Sequence, residues 1–191
     1  MPRILDYPDV LSRLTSDGLI SLYHNSGAFG FPKDRETFAR GWIGPPDPTI
    51  RPQALLLTRS VAPPLEKNLA DLTTRFWLDA LAVPVWVMPK SHWSYELDFG
   101  SKNWMPQILS AIGIDSNLLI TRNNAAAIEF TTDESQSFTL LLEVLLQSLL
   151  GSDFALAWPG RDVLATVHHH KQLWWTAGSS EILTQLDAIG P

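Results

Sequence analysis

The densest run of side chains able to do chemistry is His168-His169-His170. On a β-strand, residues two apart point the same way, so His168 and His170 project two imidazoles from one face. That pair chelates a metal when carboxylates lie across the sheet. Carboxylates are available on the same reasoning. If Trp93–Phe99 is a strand, Glu96 and Asp98 share a face with Ser94, opposite Tyr95, Leu97 and Phe99; along Ala125–Thr131, Glu129 alternates with Ile128 and Phe130. Continued alternation through Val163–Trp175 gathers Glu96, Asp98, Glu129, His168 and His170 on one polar side, joined by Trp174 where no bulge intervenes. His169 then points to the core side with Ala165 and Val167. Metal sites of this kind ordinarily show a further ligand at fixed spacing, and none is found. The six residues are therefore read as a polar binding face, with no metal and no cofactor expected. Glu96 and Asp98 suit general acid–base work if one is buried, but paired acids on an alternating strand read first as a wet face or an edge guard.

Other chemistries lack their frames. Five histidines and many serines are present, but no Gly-x-Ser-x-Gly elbow occurs, and Ser26 before Gly27 is a loop serine. Neither phosphate-cradling glycine loop appears, and Gly27-Ala28-Phe29-Gly30 is too short to count. The absence of cysteine removes thiol nucleophiles, zinc–thiolate sites and iron–sulfur clusters. Among eight tryptophans, Trp42, Trp77, Trp86, Trp93 and Trp104 sit on apolar stripes or strands. Trp158 and one of Trp174 and Trp175 are the candidates for an exposed binding ring.

The elements that must position these groups follow from periodicity. The chain has 191 residues, 45% apolar and 18% charged, enough for one compact α+β domain with a sizeable core. Its 14 basic against 20 acidic residues give a net charge of −6, and the basic residues are scattered, so no stripe exists for nucleic acid. Met1–Asp9 breaks its apolar residues with acids and prolines, unlike a secretory signal, which makes cytoplasmic location the expectation. Phe138–Leu150 is the greasiest stretch, yet its 13 residues contain Glu143 and Gln147. It reads as a buried helix, not a membrane span.

Residues 1–50 read as a helical, loop-rich cap: a helix near Asp9–Leu14, a turn at Asp17-Gly18, a phenylalanine–glycine loop before Pro32, and a helix over Asp34–Trp42. The Gly44–Pro48 stretch is the candidate boundary, with early proteolysis expected near Arg40 or Arg51. Residues 51–191 form the core. It opens with a strand at Gln53–Val61, read from its unbroken apolar run as buried on both faces. A helix with Leu65, Leu69, Leu72 and Phe76 on one stripe follows and ends near Ala82.

From Val85 onward three units of strand, strand and helix are expected. The first is Val85–Met88, Trp93–Phe99 and a helix with Trp104, Ile108 and Ile112. The second is Leu118–Thr121, Ala125–Thr131 and the Phe138–Leu150 helix. The third is Phe154–Trp158, Val163–Trp175 and a helix from Ser179 with Ile182, Leu186 and Ile189. Trp86, Ile120 and Leu156 occupy matching places. The units predict an antiparallel or mixed sheet with helices mainly on one face. The functional expectation is a small interaction or regulatory module that binds a protein partner through the polar, tryptophan-edged face; the alternative is a metal-assisted hydrolase using the same histidines and carboxylates.

Overall fold

A computed structural model describes residues 1–19, 66–122 and 124–188, together with the backbone of 55–60. The fold is α+β. Among the described residues, seven antiparallel strands run β1 (Arg3–Asp6), β2 (Leu55–Ser60), β3 (Val85–Pro89), β4 (Ala125–Phe130), β5 (Phe154–Ala157), β6 (Val163–His168) and β7 (Gln172–Ala177). Their order across the sheet is β1-β4-β3-β5-β6-β7-β2. The α-helices among the described residues are α1 (Tyr7–Ser16), α2 (Glu66–Phe76), α3 (Trp93–Tyr95), α4 (Met105–Ala111), α5 (Ser116–Thr121), α6 (Ser135–Ser148) and α7 (Ser180–Ala188).

Alternation divides the sheet into two faces. Val85, Val87, Ile128, Phe130, Phe154, Leu156, Val163, Ala165 and Val167 point into the main core, which α2, α4 and α6 close with Leu69, Phe76, Leu109, Phe138, Leu142 and Leu145. On the other face α1 lays Tyr7, Val10 and Leu14 over Trp86, Met88, Ala127, Ala155, Ala157 and Leu164. The helix expected over Phe138–Leu150 is α6, ending at Ser148, and it buries Phe138, Leu141, Leu142, Leu145 and Leu146 while Leu140 stays exposed. α2 runs on as a π turn over Trp77–Leu81 and stops where Ala82 takes a left-handed φ of 50°, as expected near Ala82.

The expected three-fold unit does not form. Trp93–Phe99 is no returning strand but α3 followed by a π turn over Glu96–Gly100. Trp93 and Leu97, four apart, are both buried while Tyr95, Asp98 and Phe99 are exposed, and that is a helical period. His92 caps the turn, its Nδ1 accepting the Ser94 N–H at 3.2 Å. Leu118–Thr121 belongs to α5, opened by the Asp115 carboxylate accepting the Asn117 N–H at 2.9 Å. Val163–Trp175 is two strands. The Lys171 N–H donates to the His168 carbonyl at 3.0 Å and Lys171 adopts φ 61°, which closes a three-residue hairpin loop over 169–171.

The two ends of the strand order are β1 and β2. β2, the strand expected over Gln53–Val61, stands at its end paired to β7. β1 and α1, placed by the sequence reading in an N-terminal cap, belong to the sheet and its second face, with β1 paired to β4. The helix over Asp34–Trp42, the boundary at Gly44–Pro48 and the cleavage sites at Arg40 and Arg51 lie outside the described residues. No helix among the described residues is long and apolar enough to cross a membrane.

Candidate functional site

Three turns meet at one end of the sheet. Pro89 pairs with Phe154 and Phe154 with Val167, so the segment after β3, the segment before β5 and the β6–β7 loop emerge side by side. The Lys90 N–H extends the first pairing by donating to the Asp153 carbonyl at 2.8 Å.

Asp153 organizes the loop. Its buried Oδ1 accepts the His169 backbone N–H at 3.1 Å and lies 2.8 Å from the ring Nδ1 of the same residue. His168 Nε2 is 4.0 Å from that oxygen, and Lys90 Nζ is 3.9 Å from Oδ2. The His168 ring stacks on the Trp174 indole, centroids 4.2 Å apart and 15° from parallel, with the rings of His169 and His170 at 4.2 and 4.7 Å. Burial holds His168 below the usual imidazole value against the pull of Asp153, and the charges of His169, His170 and Lys90 add to the depression. At the loop's far corner Lys171 Nζ donates to Glu66 Oε1 at 2.8 Å, pinning the hairpin to the start of α2 and holding the Glu66 carboxyl below its usual range.

The structure brings His168, His170 and Trp174 together at this sheet end: alternation across the β6–β7 pair puts His168 and Trp174 on one face, and the loop carries His170 beside them. His168 is the last residue of β6, buried at 9% exposure; His170 is an exposed loop residue; Trp174 is half-buried on β7. His169, expected on the core side, is a half-buried loop residue held by Asp153. Of the tryptophans expected as exposed candidates, Trp158 is buried, and of the pair Trp174 and Trp175 it is Trp174 that is half-exposed; Trp158 and Trp175 stack on each other at 5.4 Å.

The acids part company. Glu129 is on β4, separated from β6 by β3 and β5, which at strand spacing is roughly 14 Å. It is buried there, accepting from Arg3 Nε and, at 2.8 Å, from Trp86 Nε1. Asp98 is exposed in the π turn. Glu96, in the same turn, is fully buried and accepts hydroxyl bonds from Ser91, from Ser101 at 2.9 Å and from Ser152 at 3.0 Å. Ser91 follows Lys90 and Ser152 precedes Asp153, so Glu96 braces the site from beneath instead of facing solvent. Asp153, Lys90 and the three serines were not among the candidate site residues of the sequence reading, which left His169 on the core side; Asp153 sits just before a strand and no periodicity marks it.

The chain was compared with protein-family models, with curated proteins and with solved structures, and it matches none of them. The reading of this site therefore rests on its own geometry.

His92 lies beside this assembly, one residue beyond Ser91. Burial holds its imidazole below the usual value, and protonation would remove the Nδ1 acceptor that caps α3. A folded-state value below the unfolded one means that the unfolded chain binds the proton more readily. His92 therefore contributes stability that is complete above about pH 6.5 and is lost as pH falls through its folded value. The urea midpoint is expected to drop between pH 7.5 and 5.5, and His92→Asn, which keeps a capping acceptor, should flatten part of that slope. The remainder belongs to groups such as His168, also depressed by burial. An unaltered slope in the variant would remove His92 as a source.

Proposed function

We propose that the chain is a protein-interaction module whose binding surface is the sheet end carrying His168, His170 and Trp174. One observation carries this reading: a half-exposed tryptophan stacked on a histidine, on a hairpin fixed by Asp153 at one corner and by the Lys171–Glu66 pair at the other. Rigid amphipathic rings bury large area on binding while losing little conformational freedom, which is why they dominate interface energetics. The surface is narrower than the six-residue face read from the sequence, since Glu96 and Glu129 are committed to internal bonds.

A photoreactive amino acid at position 174, in cells of the native source, is expected to cross-link to one discrete protein. The same residue at exposed Asp79, far along the helical segment that begins at Glu66, should not. Identical adducts from both positions, or none from 174, would defeat the reading. A second reading, a metal-assisted hydrolase, is favoured by the three imidazoles beside Asp153. Ester turnover that disappears in His169→Ala would favour it over the module.

A further inference from the structure

We infer that the β6–β7 loop is a binding site for one divalent transition-metal ion of the zinc class, with His168, His169 and His170 as ligands and Asp153 as the carboxylate that orients His169. This deepens the hydrolase reading by naming the metal, yet it stands on the loop geometry alone. Metal binding is measured on the resting protein and hydrolysis by turnover, so the two fail separately.

One ligand nitrogen from each of the three imidazoles lies within 4.8 Å of the other two. Around a tetrahedral ion with metal–nitrogen bonds near 2.0–2.1 Å, ligand atoms stand roughly 3.3 Å apart, so no pair has to close by more than about 1.5 Å. The exposed His170 makes most of that movement by rotation about its side-chain bonds, while His169 keeps its Asp153 bond and His168 stays anchored on Trp174.

The protonation pattern suits a metal. With His169 Nδ1–H donated to Asp153 Oδ1 at 2.8 Å, the lone pair left to this ring is on Nε2, turned away from the carboxylate. A carboxylate bonded to the far nitrogen of a ligating histidine fixes its tautomer and raises its basicity. His168 Nδ1 accepts the His170 backbone N–H at 3.3 Å, a long bond that an ion displaces with little loss. Asp153 also supplies negative charge against the nearby Lys90 ammonium. A donor set of imidazole nitrogens suits zinc, nickel and copper rather than calcium or magnesium.

Three consecutive histidines in any flexible segment bind such ions weakly, so the decisive residue is one distant in sequence. Asp153 is that residue. Calorimetric titration of the untagged chain with Zn²⁺ is expected to give one ion per chain. Asp153→Asn should weaken binding by about 10- to 100-fold, while Asp79→Asn leaves it unchanged. In parallel, one equivalent of Zn²⁺ should shift the Trp174 indole N–H resonance, through the stacked His168 ring, in the wild-type protein. That second readout holds even if Asp153→Asn folds poorly. Equal affinity in wild type and Asp153→Asn, or a Trp174 resonance indifferent to the ion, would reduce the loop to an ordinary histidine tract and overturn the site.

Discussion

Phe138→Ala is expected to lower stability by about 3–5 kcal/mol, the range for removing a buried aromatic ring when the walls relax only in part. Phe138 is fully buried in α6 and stands between two other rings, with Trp77 at 4.9 Å and Phe130 at 5.8 Å, both edge-on. It thereby joins the π turn after α2, the helix α6 and the strand β4. Truncation leaves a void bounded by three separate elements, and the edge-to-face contacts contribute beyond buried area. Phe138→Leu, which fills most of the volume, should lose far less. The check is urea denaturation: a lower midpoint at constant slope, ordered wild type, Leu, Ala. A loss under about 1 kcal/mol for the alanine variant would mean that the segment repacks freely and that this aromatic junction is not the centre of the core.

Phe138 was also among the most legible positions in the sequence. Leu141, Leu142, Leu145 and Phe138 recur at helical spacing, and the structure buries all four. Long amphipathic helices and strands with strong alternation could be read because burial imposes the period directly. The short elements could not. Trp93–Phe99 fits two periods at once: alternation places Tyr95, Leu97 and Phe99 together, whereas the helical spacing pairs Trp93 with Leu97. What decides is tertiary, since Glu96 turned inward finds three serine hydroxyls that strand geometry would not have offered it. The histidine run illustrates the complementary failure. Alternation gave His168 and His170 a shared face, but Lys171 in the left-handed region turns the chain after His168. Lysine in that conformation carries no sequence signal of the kind glycine or asparagine supplies. His168 and Trp174 still come together, because the register that pairs Thr166 with Trp174 and His168 with Gln172 leaves both on one face, and the loop holds His170 next to them. Glu129 does not join them, because strand order across a sheet is not written in the periodicity of any one strand.

Glu96 is the test of whether the brace beneath the site matters. Three hydroxyls from three segments, Ser91 after β3, Ser101 after the π turn and Ser152 before β5, donate to one fully buried carboxylate. Gly100 packs so closely that a Cβ there would lie 2.9 Å from Glu96 Oε2. Hydrogen bonds to a charged acceptor contribute about 1.5–3 kcal/mol each, and bonds sharing one acceptor are not additive, so Glu96→Ala is expected to destabilise by about 3–5 kcal/mol. Glu96→Gln keeps the shape, and a serine hydroxyl is able to rotate and accept from the new amide, so its loss should be nearer 1–2 kcal/mol. The variants also separate a local brace from a general core residue. Ser152 adjoins Asp153, and Asp153 accepts the His169 amide, so Glu96→Ala should speed hydrogen exchange at His169 more than Phe138→Leu does at matched stability. If exchange at His169 follows global stability alone in both variants, Glu96 is a packing residue like any other. If it accelerates only when the carboxylate is gone, the order of the histidine loop depends on a buried acid more than seventy residues away in the chain.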